Sequence, residues 1–198
     1  MDCPTIIERI SRATQEQGAG RGDHDLNPGM EPERDLVPAA VLVPLIDRAD
    51  GVTALFTQRT GHLVHHPGQV SFPGGHMESE DKTPEETALR ETEEEVGLHR
   101  RHVEIIGRLS LYTTRTGFSV TPVVAVVTPP FDISPDPHEV AEVFEVPLDF
   151  LLDSANHERH SRDYQGVERH FHAMPYNGYY IWGATAGMVI NLYEALKQ

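Results

Sequence analysis

The stretch from Thr83 to Leu98 constrains the fold more than any other part of the chain. Thr83-Pro84-Glu85-Glu86 reads as a helix start: Thr83 suits the N-cap, Pro84 the first helical position, and Glu86 closes a capping box. Gly97 suits the far end, where a left-handed residue commonly stops a helix. A helix is therefore predicted from Pro84 to Val96. On it Glu91, Glu94 and Glu95 stand at i, i+3 and i+4 and share one face, while Leu89, Thr92 and Val96 fill a sector that would anchor the helix to a core. Like charges at this spacing cost an isolated helix a few tenths of a kcal/mol per pair, so a compensating positive charge is expected. A hard cation is one candidate, because Mg²⁺ needs only a few carboxylates and completes its shell with water and phosphate oxygens. A solvated, glutamate-rich surface face is the other. Arg90 lies beside the cluster and is placed to orient a carboxylate.

The surroundings of that helix are rich in β-forming runs. Val37–Ile46 and Val52–Thr57 flank Asp47–Gly51, a turn signal, and predict a hairpin. Gly61–Gln69 is a histidine-rich loop, followed by a short strand, Val70–Phe72, that ends at Pro73-Gly74-Gly75. Val103–Tyr112 and Ser119–Val127 predict two further strands, Val146–Asp153 a helix, Val167–Pro175 an extended segment, and Ala184–Leu196 a terminal amphipathic helix. Strands and helices interleaved in this way predict an α/β sandwich with a mixed β-sheet. The first 17 residues predict a short amphipathic helix with Ile6, Ile7, Ile10 and Ala13 in register, and Gly18–Asp35, without periodicity, a flexible linker or long loop. The expected division is thus 1–35 as helix and linker and 36–198 as the main domain.

Charge narrows the function classes. Sixteen Lys and Arg against 31 Asp and Glu give a net charge of −15, which offers no footprint for a nucleic-acid backbone. The longest apolar stretches, Ala39–Ile46 and Val123–Val127, are too short to span a membrane. A single cysteine, Cys3, excludes an internal disulfide and fits a reducing compartment. Met1–Gly20 has no basic start or continuous apolar run of a signal peptide, so a cytoplasmic location is expected. A homodimer is left open.

Arg90-Glu91-Thr92-Glu93-Glu94-Glu95-Val96-Gly97-Leu98 resembles the second half of the Nudix hydrolase signature, G-x5-E-x7-R-E-U-x-E-E-x-G-U with U apolar. Thr92 departs mildly at a U position. Gly75 lies one residue further from Arg90 than the general pattern asks, Lys82 stands where the first glutamate is expected, and Asp81 is the acidic residue nearest that role. The extra residue is similar to the coenzyme A pyrophosphatase branch, which also carries an upstream motif L-L-T-x-R-x3-L-R-x-H-x-G-x3-F-P-G-G. Here Leu55-Phe56-Thr57-Gln58-Arg59 and Leu63-Val64-His65-His66-Pro67-Gly68, continuing to Phe72-Pro73-Gly74-Gly75, match it except at Phe56 and Val64. Further likeness lies at Thr116-Gly117-Phe118, at Glu139-Val140 through Pro147-Leu148, and at Trp182-Gly183-Ala184-Thr185-Ala186.

The resemblance implies a Nudix-type α/β/α sandwich and water-driven, Mg²⁺- or Mn²⁺-dependent cleavage of a diphosphate. For a coenzyme A-like substrate the products are 3′,5′-ADP and 4′-phosphopantetheine or its acyl derivative. It assigns Glu91, Glu94, Glu95 and the Gly75 carbonyl as metal ligands and Arg90 as the residue that orients them. Glu139 is the candidate general base, or simply the residue that opens a strand. Arg59, His66 and Gly74 are the substrate-side candidates, with Tyr179, Tyr180 and Trp182 either stacking on a base or filling the core. Val64 removes a cation from the substrate loop, so ADP-ribose, dinucleotides and other nucleoside diphosphate derivatives stay open as alternatives. A nucleotide-sensing module without catalysis is disfavoured by the presence of all three glutamates.

Overall fold

The computed structural model describes residues 1–15, 20–30, 35–63, 65–164 and 166–197. Val64, singled out above, and parts of the 18–35 segment lie outside these residues. The strands are β1 (Arg21–Gly22), β2 (Val37–Arg48), β3 (Gly51–Arg59), β4 (Val70–Ser71), β5 (Gly74–His76), β6 (Val103–Arg108), β7 (Tyr112–Thr113), β8 (Phe118–Val127), β9 (Val140–Pro147), β10 (Glu158–Tyr164), β11 (Val167–Tyr176) and β12 (Tyr179–Trp182). The helices are α1 (Cys3–Gln15), α2 (Pro84–Val96), α3 (Leu148–Leu151) and α4 (Gly183–Lys197).

A mixed sheet runs β1-β7-β8-β2-β3-β4, with β5 added to β2, β6 to β8 and β9 to β3. Its spine is the parallel pair β2–β8, in register from Val37↔Phe118 to Ile46↔Val127. Parallel strands are covered on both faces and read as continuous apolar runs, which is the character of Ala39–Ile46 and Val123–Val127. Side chains alternate across β2. Ala39, Val43 and Leu45 join Ile6 and Ile10 of α1 and Met188, Val189 and Leu192 of α4 on one face. Ala40 and Leu42 meet Ala88 of α2 with Val123 and Ala125 on the other. The result is the expected α/β/α sandwich.

The hairpin predicted around Asp47–Gly51 is present as β2–β3. Five readings need correction. Val103–Tyr112 is not one strand: β6 ends at Arg108 and β7 begins at Tyr112. Val146–Asp153 is helical only over α3, because Val146 and Pro147 complete β9 against β3. β10 and β12 were not anticipated: β10 is polar along its whole length and has no alternation to read. Leu89 is only half-buried, and Thr87 and Ala88 take the inward positions with Thr92 and Val96. The described part of the supposed linker is structured: β1 pairs with β7, Asp23–Leu26 forms a 3₁₀ turn, and Asn27 both donates to and accepts from the backbone of His170, each at 2.9 Å. These contacts are long-range, so local periodicity carries no trace of them. Ile6 and Ile10 are fully buried, which ties α1 into the main core.

Candidate active site

Helix α2 is delimited as its sequence dictates. The Thr83 side chain caps it by accepting from the Glu86 N–H at 3.3 Å, and Gly97 ends it in the left-handed region at φ 69°. Glu86 reaches back one residue further than a capping box, accepting from the Lys82 N–H at 2.6 Å. Thr92 is fully buried at its apolar position because its hydroxyl donates to the Ala88 carbonyl at 2.6 Å.

Arg90 is the hub of the acidic face. It forks onto Asp81 through Nε and Nη2 at 3.2 and 2.8 Å, and its Nη1 reaches Glu91 at 3.0 Å and Glu94 at 3.1 Å. Its Nη2 also donates to the His76 carbonyl at 3.3 Å. Asp81 accepts in addition from Thr87 Oγ1 and the Glu78 N–H, each at 3.0 Å. The Arg90 guanidinium holds its carboxyl well below the usual carboxylate range. Asp81 thus anchors the arginine from the loop that replaces the usual glutamate. Charge-assisted, bidentate pairing of this kind fixes orientation as well as energy.

Part of the positive charge expected from the glutamate spacing is therefore supplied by the protein. Glu94 is exposed and turned toward Arg90. Glu95 is 6% exposed, accepts from the Gly74 N–H at 3.1 Å and has Arg59 Nη1 at 3.7 Å. Burial pushes Glu95 up to about 7, and it moves Glu91 upward as well, so Arg59 and Arg90 do not fully offset the desolvation. The glycines before α2 are dictated by contact. A Cβ on Gly75 would overlap the Glu91 carboxylate, and one on Gly74, at φ 152°, would overlap the Ala40 carbonyl oxygen.

Two carboxylates, Glu95 buried and Glu91 half-buried, with the Gly75 backbone closed onto Glu91, form an all-oxygen donor set that suits a hard divalent cation. Among the described residues, no three His, Cys, Asp or Glu side chains form a ready-made cage. Mg²⁺ commonly binds through one or two carboxylates and takes its remaining ligands from water and phosphate. The residues present fit that mode.

Arg59 and Gly74, which both meet Glu95, open onto a cavity of about 720 Å³, within the usual size of a small-molecule site, which Glu91, Glu94, Glu95 and Gly75 do not themselves line. Arg59, His66 and Gly74 line it, with Gln69, Ser71 and Phe72 from the same segment. His66 adopts φ 54° and shares a hydrogen bond with Gln69 at 2.9 Å. Trp182 lines the cavity, whereas Tyr179 stacks on Phe144 at 3.6 Å and Tyr180 contacts His160 at 3.0 Å. Glu139 is exposed just before β9, and its carbonyl accepts from the Thr60 N–H at 2.9 Å. Its charge bears on Glu95, but it does not line the cavity.

Sequence reasoning missed a second set of lining residues, including Asp23, Arg115, Arg162, Arg169, His172 and Asn191. No local pattern announced them: Arg162 and Arg169, for example, come together only through the β10–β11 pairing.

The NUDIX domain family model matches residues 36–168. The chain belongs to the Nudix hydrolases. An uncharacterized Nudix hydrolase NudL of Enterobacter sp. is 40% identical over 154 residues, 78% of this chain and 80% of the relative. The Yersinia pestis protein of the same name is 37% identical over 161 residues, covering 80% and 79%. Among solved structures, a Deinococcus radiodurans protein aligns with TM-score 0.52 and 17% identity over 84% of this chain and 88% of that one. A Nudix hydrolase from M. smegmatis aligns with TM-score 0.51 and 24% identity over 61% and 76%. These structural likenesses bear on the fold, and the sequence match makes this chain a Nudix hydrolase acting on diphosphate bonds. Members of the family generally need a divalent cation.

Proposed function

We propose that this Nudix hydrolase cleaves the diphosphate bond of coenzyme A or an acyl-coenzyme A, giving 3′,5′-ADP and 4′-phosphopantetheine or its acyl derivative, with Mg²⁺ or Mn²⁺ as cofactor. One observation carries the substrate assignment. Arg59, His66, Phe72 and Gly74, which belong to the stretch that matches the motif of the coenzyme A branch, line the cavity next to Glu95.

The carboxylates of Glu91 and Glu95 and the Gly75 carbonyl would hold the metal, and Glu94 would join them on leaving Arg90. A bound cation would neutralise the diphosphate and activate the attacking water. Arg90, itself locked by Asp81, keeps the glutamates oriented. The Gly74 N–H fixes the rotamer of Glu95. Arg59 and His66 meet the substrate from the cavity wall, and Arg59 supplies charge to the diphosphate oxygens. Glu139, solvent-exposed and within electrostatic reach of Glu95, takes the proton from water as general base.

The test is a substrate panel of coenzyme A, dephospho-coenzyme A, ADP-ribose and NADH, with and without Mg²⁺, products identified by mass. Cleavage of coenzyme A to 3′,5′-ADP ahead of the others is expected. Faster turnover of ADP-ribose or NADH would replace this reading with a different nucleoside diphosphate specificity.

A further inference from the structure

The cavity beside Glu95 is also lined by Arg115, Arg162 and Arg169, which belong to none of the motifs quoted above. Arg162 and Arg169 stand directly opposite each other across β10 and β11. Like charges so placed destabilise a sheet unless something offsets them. The guanidinium carbons of Arg115 and Arg169 lie 4.6 and 4.7 Å from the centroid of one ring, Tyr164, which brings a third cation to the pair. Arg48, Arg90, Arg100 and Arg108 each pair with a carboxylate. Among the described residues these three do not. Nε and Nη1 of Arg169 are buried without a hydrogen-bond partner, as is Nδ1 of His172 on the same strand. The carboxylates lining the cavity do not answer them. Asp23 accepts from the Tyr112 hydroxyl at 2.9 Å and the Arg115 backbone N–H at 2.8 Å, and Asp25 from the Gly22 N–H at 3.3 Å.

In a chain of net charge −15, three guanidiniums that line one cavity without a carboxylate partner call for an anion. Their planar forks match the oxygens of a phosphate, and a phosphomonoester brings close to two negative charges to the site. We infer that Arg115, Arg162 and Arg169 form a second anion subsite, which takes a phosphomonoester that the substrate carries in addition to the diphosphate that is cleaved. This rests on the diphosphatase reading above and extends it to the substrate class: nucleoside diphosphate derivatives bearing a further, terminal phosphate.

The experiment is equilibrium binding of 3′,5′-ADP and of 5′-AMP to the full chain in EDTA, which needs neither metal nor turnover. The wild-type protein is expected to bind 3′,5′-ADP at least about tenfold more tightly, the worth of one charge-assisted bond. Arg162→Gln with Arg169→Gln should bring the two affinities within about twofold, while 5′-AMP binding holds. Arg159→Gln, a neighbour that does not line the cavity, should leave the preference unchanged. Should the double variant not fold, the exposed Arg115→Gln decides, with an expected two- to fivefold loss of preference, about what an exposed pair contributes. A wild-type protein without the preference, or variants that keep it, overturns the subsite. Absence of cleavage on every diphosphate of the substrate panel would instead remove the enzymatic reading, and the nucleotide preference decides the subsite independently.

Discussion

Glu95→Gln separates the electrostatics of the site from its chemistry. Burial favours the neutral acid, so in the metal-free protein Glu95 keeps its proton up to about pH 7, whereas the unfolded chain releases it near 4.5. Below the lower value both states are protonated, and the side chain carries no charge penalty. As pH rises between the two values the folded state loses stability. Above the upper value the full cost stands, roughly 3 kcal/mol at about 1.36 kcal/mol per pKa unit. Glutamine keeps an acceptor for the Gly74 N–H and carries no charge. In urea unfolding with EDTA at pH 8, the variant is therefore expected to be more stable than wild type by up to about 3 kcal/mol, and at pH 4.5 the two should nearly coincide. Addition of Mg²⁺ should reverse the order once it is in thousandfold excess over Kd, because only the wild-type carboxylate gains from the cation, by about 4.1 kcal/mol. Diphosphate turnover of the variant should fall by more than about a hundredfold. A wild-type protein as stable as the variant at pH 8 in EDTA would refute the desolvation argument.

The other predictions follow from contacts around the same helix. Arg90→Lys cannot fork onto Asp81 while also holding Glu91 and Glu94, so kcat should drop about ten- to a hundredfold with the fold retained by circular dichroism. The Asp81 carboxyl is held low, so its pairing stabilises the protein above the ordinary carboxylate range and is lost only as pH falls through the depressed value. Asp81→Asn should accordingly lower Tm at pH 7 and lose that effect in strong acid. Gly75→Ala places a methyl group against the Glu91 carboxylate and should weaken Mn²⁺ binding, measured by calorimetry, at least about tenfold. Asn27→Ala removes both bonds to the His170 backbone, and the 20–30 segment should then be cut faster by protease, at a cost of about 1–2 kcal/mol in local stability.

What could be read in the sequence follows from how far each interaction reaches. Helix α2 was legible to the residue because Thr83, Pro84 and Gly97 act within one turn of their own positions. The β2–β8 spine was visible as apolar runs, since a parallel pair buried on both faces leaves that signature. The role of Asp81 was half-visible: its place in the motif drew notice, but only the folded loop brings it onto Arg90. The N-terminal segment was misread because a two-residue strand and a 3₁₀ turn draw their stability from Tyr112, Arg115 and His170, far away in the chain. The arginine cluster was invisible for the same reason: β10 is polar on both faces, and its cross-strand pairing with β11 places Arg162 opposite Arg169.

The central claim is that Glu91, Glu95 and the Gly75 carbonyl share a divalent cation with a substrate diphosphate. It is tested most directly by anomalous diffraction from a crystal soaked in Mn²⁺ with a non-hydrolysable diphosphate analogue. A manganese peak bridging those oxygens and the diphosphate is predicted; manganese elsewhere, with Glu95 still bound only to Gly74 and Arg59, would contradict it.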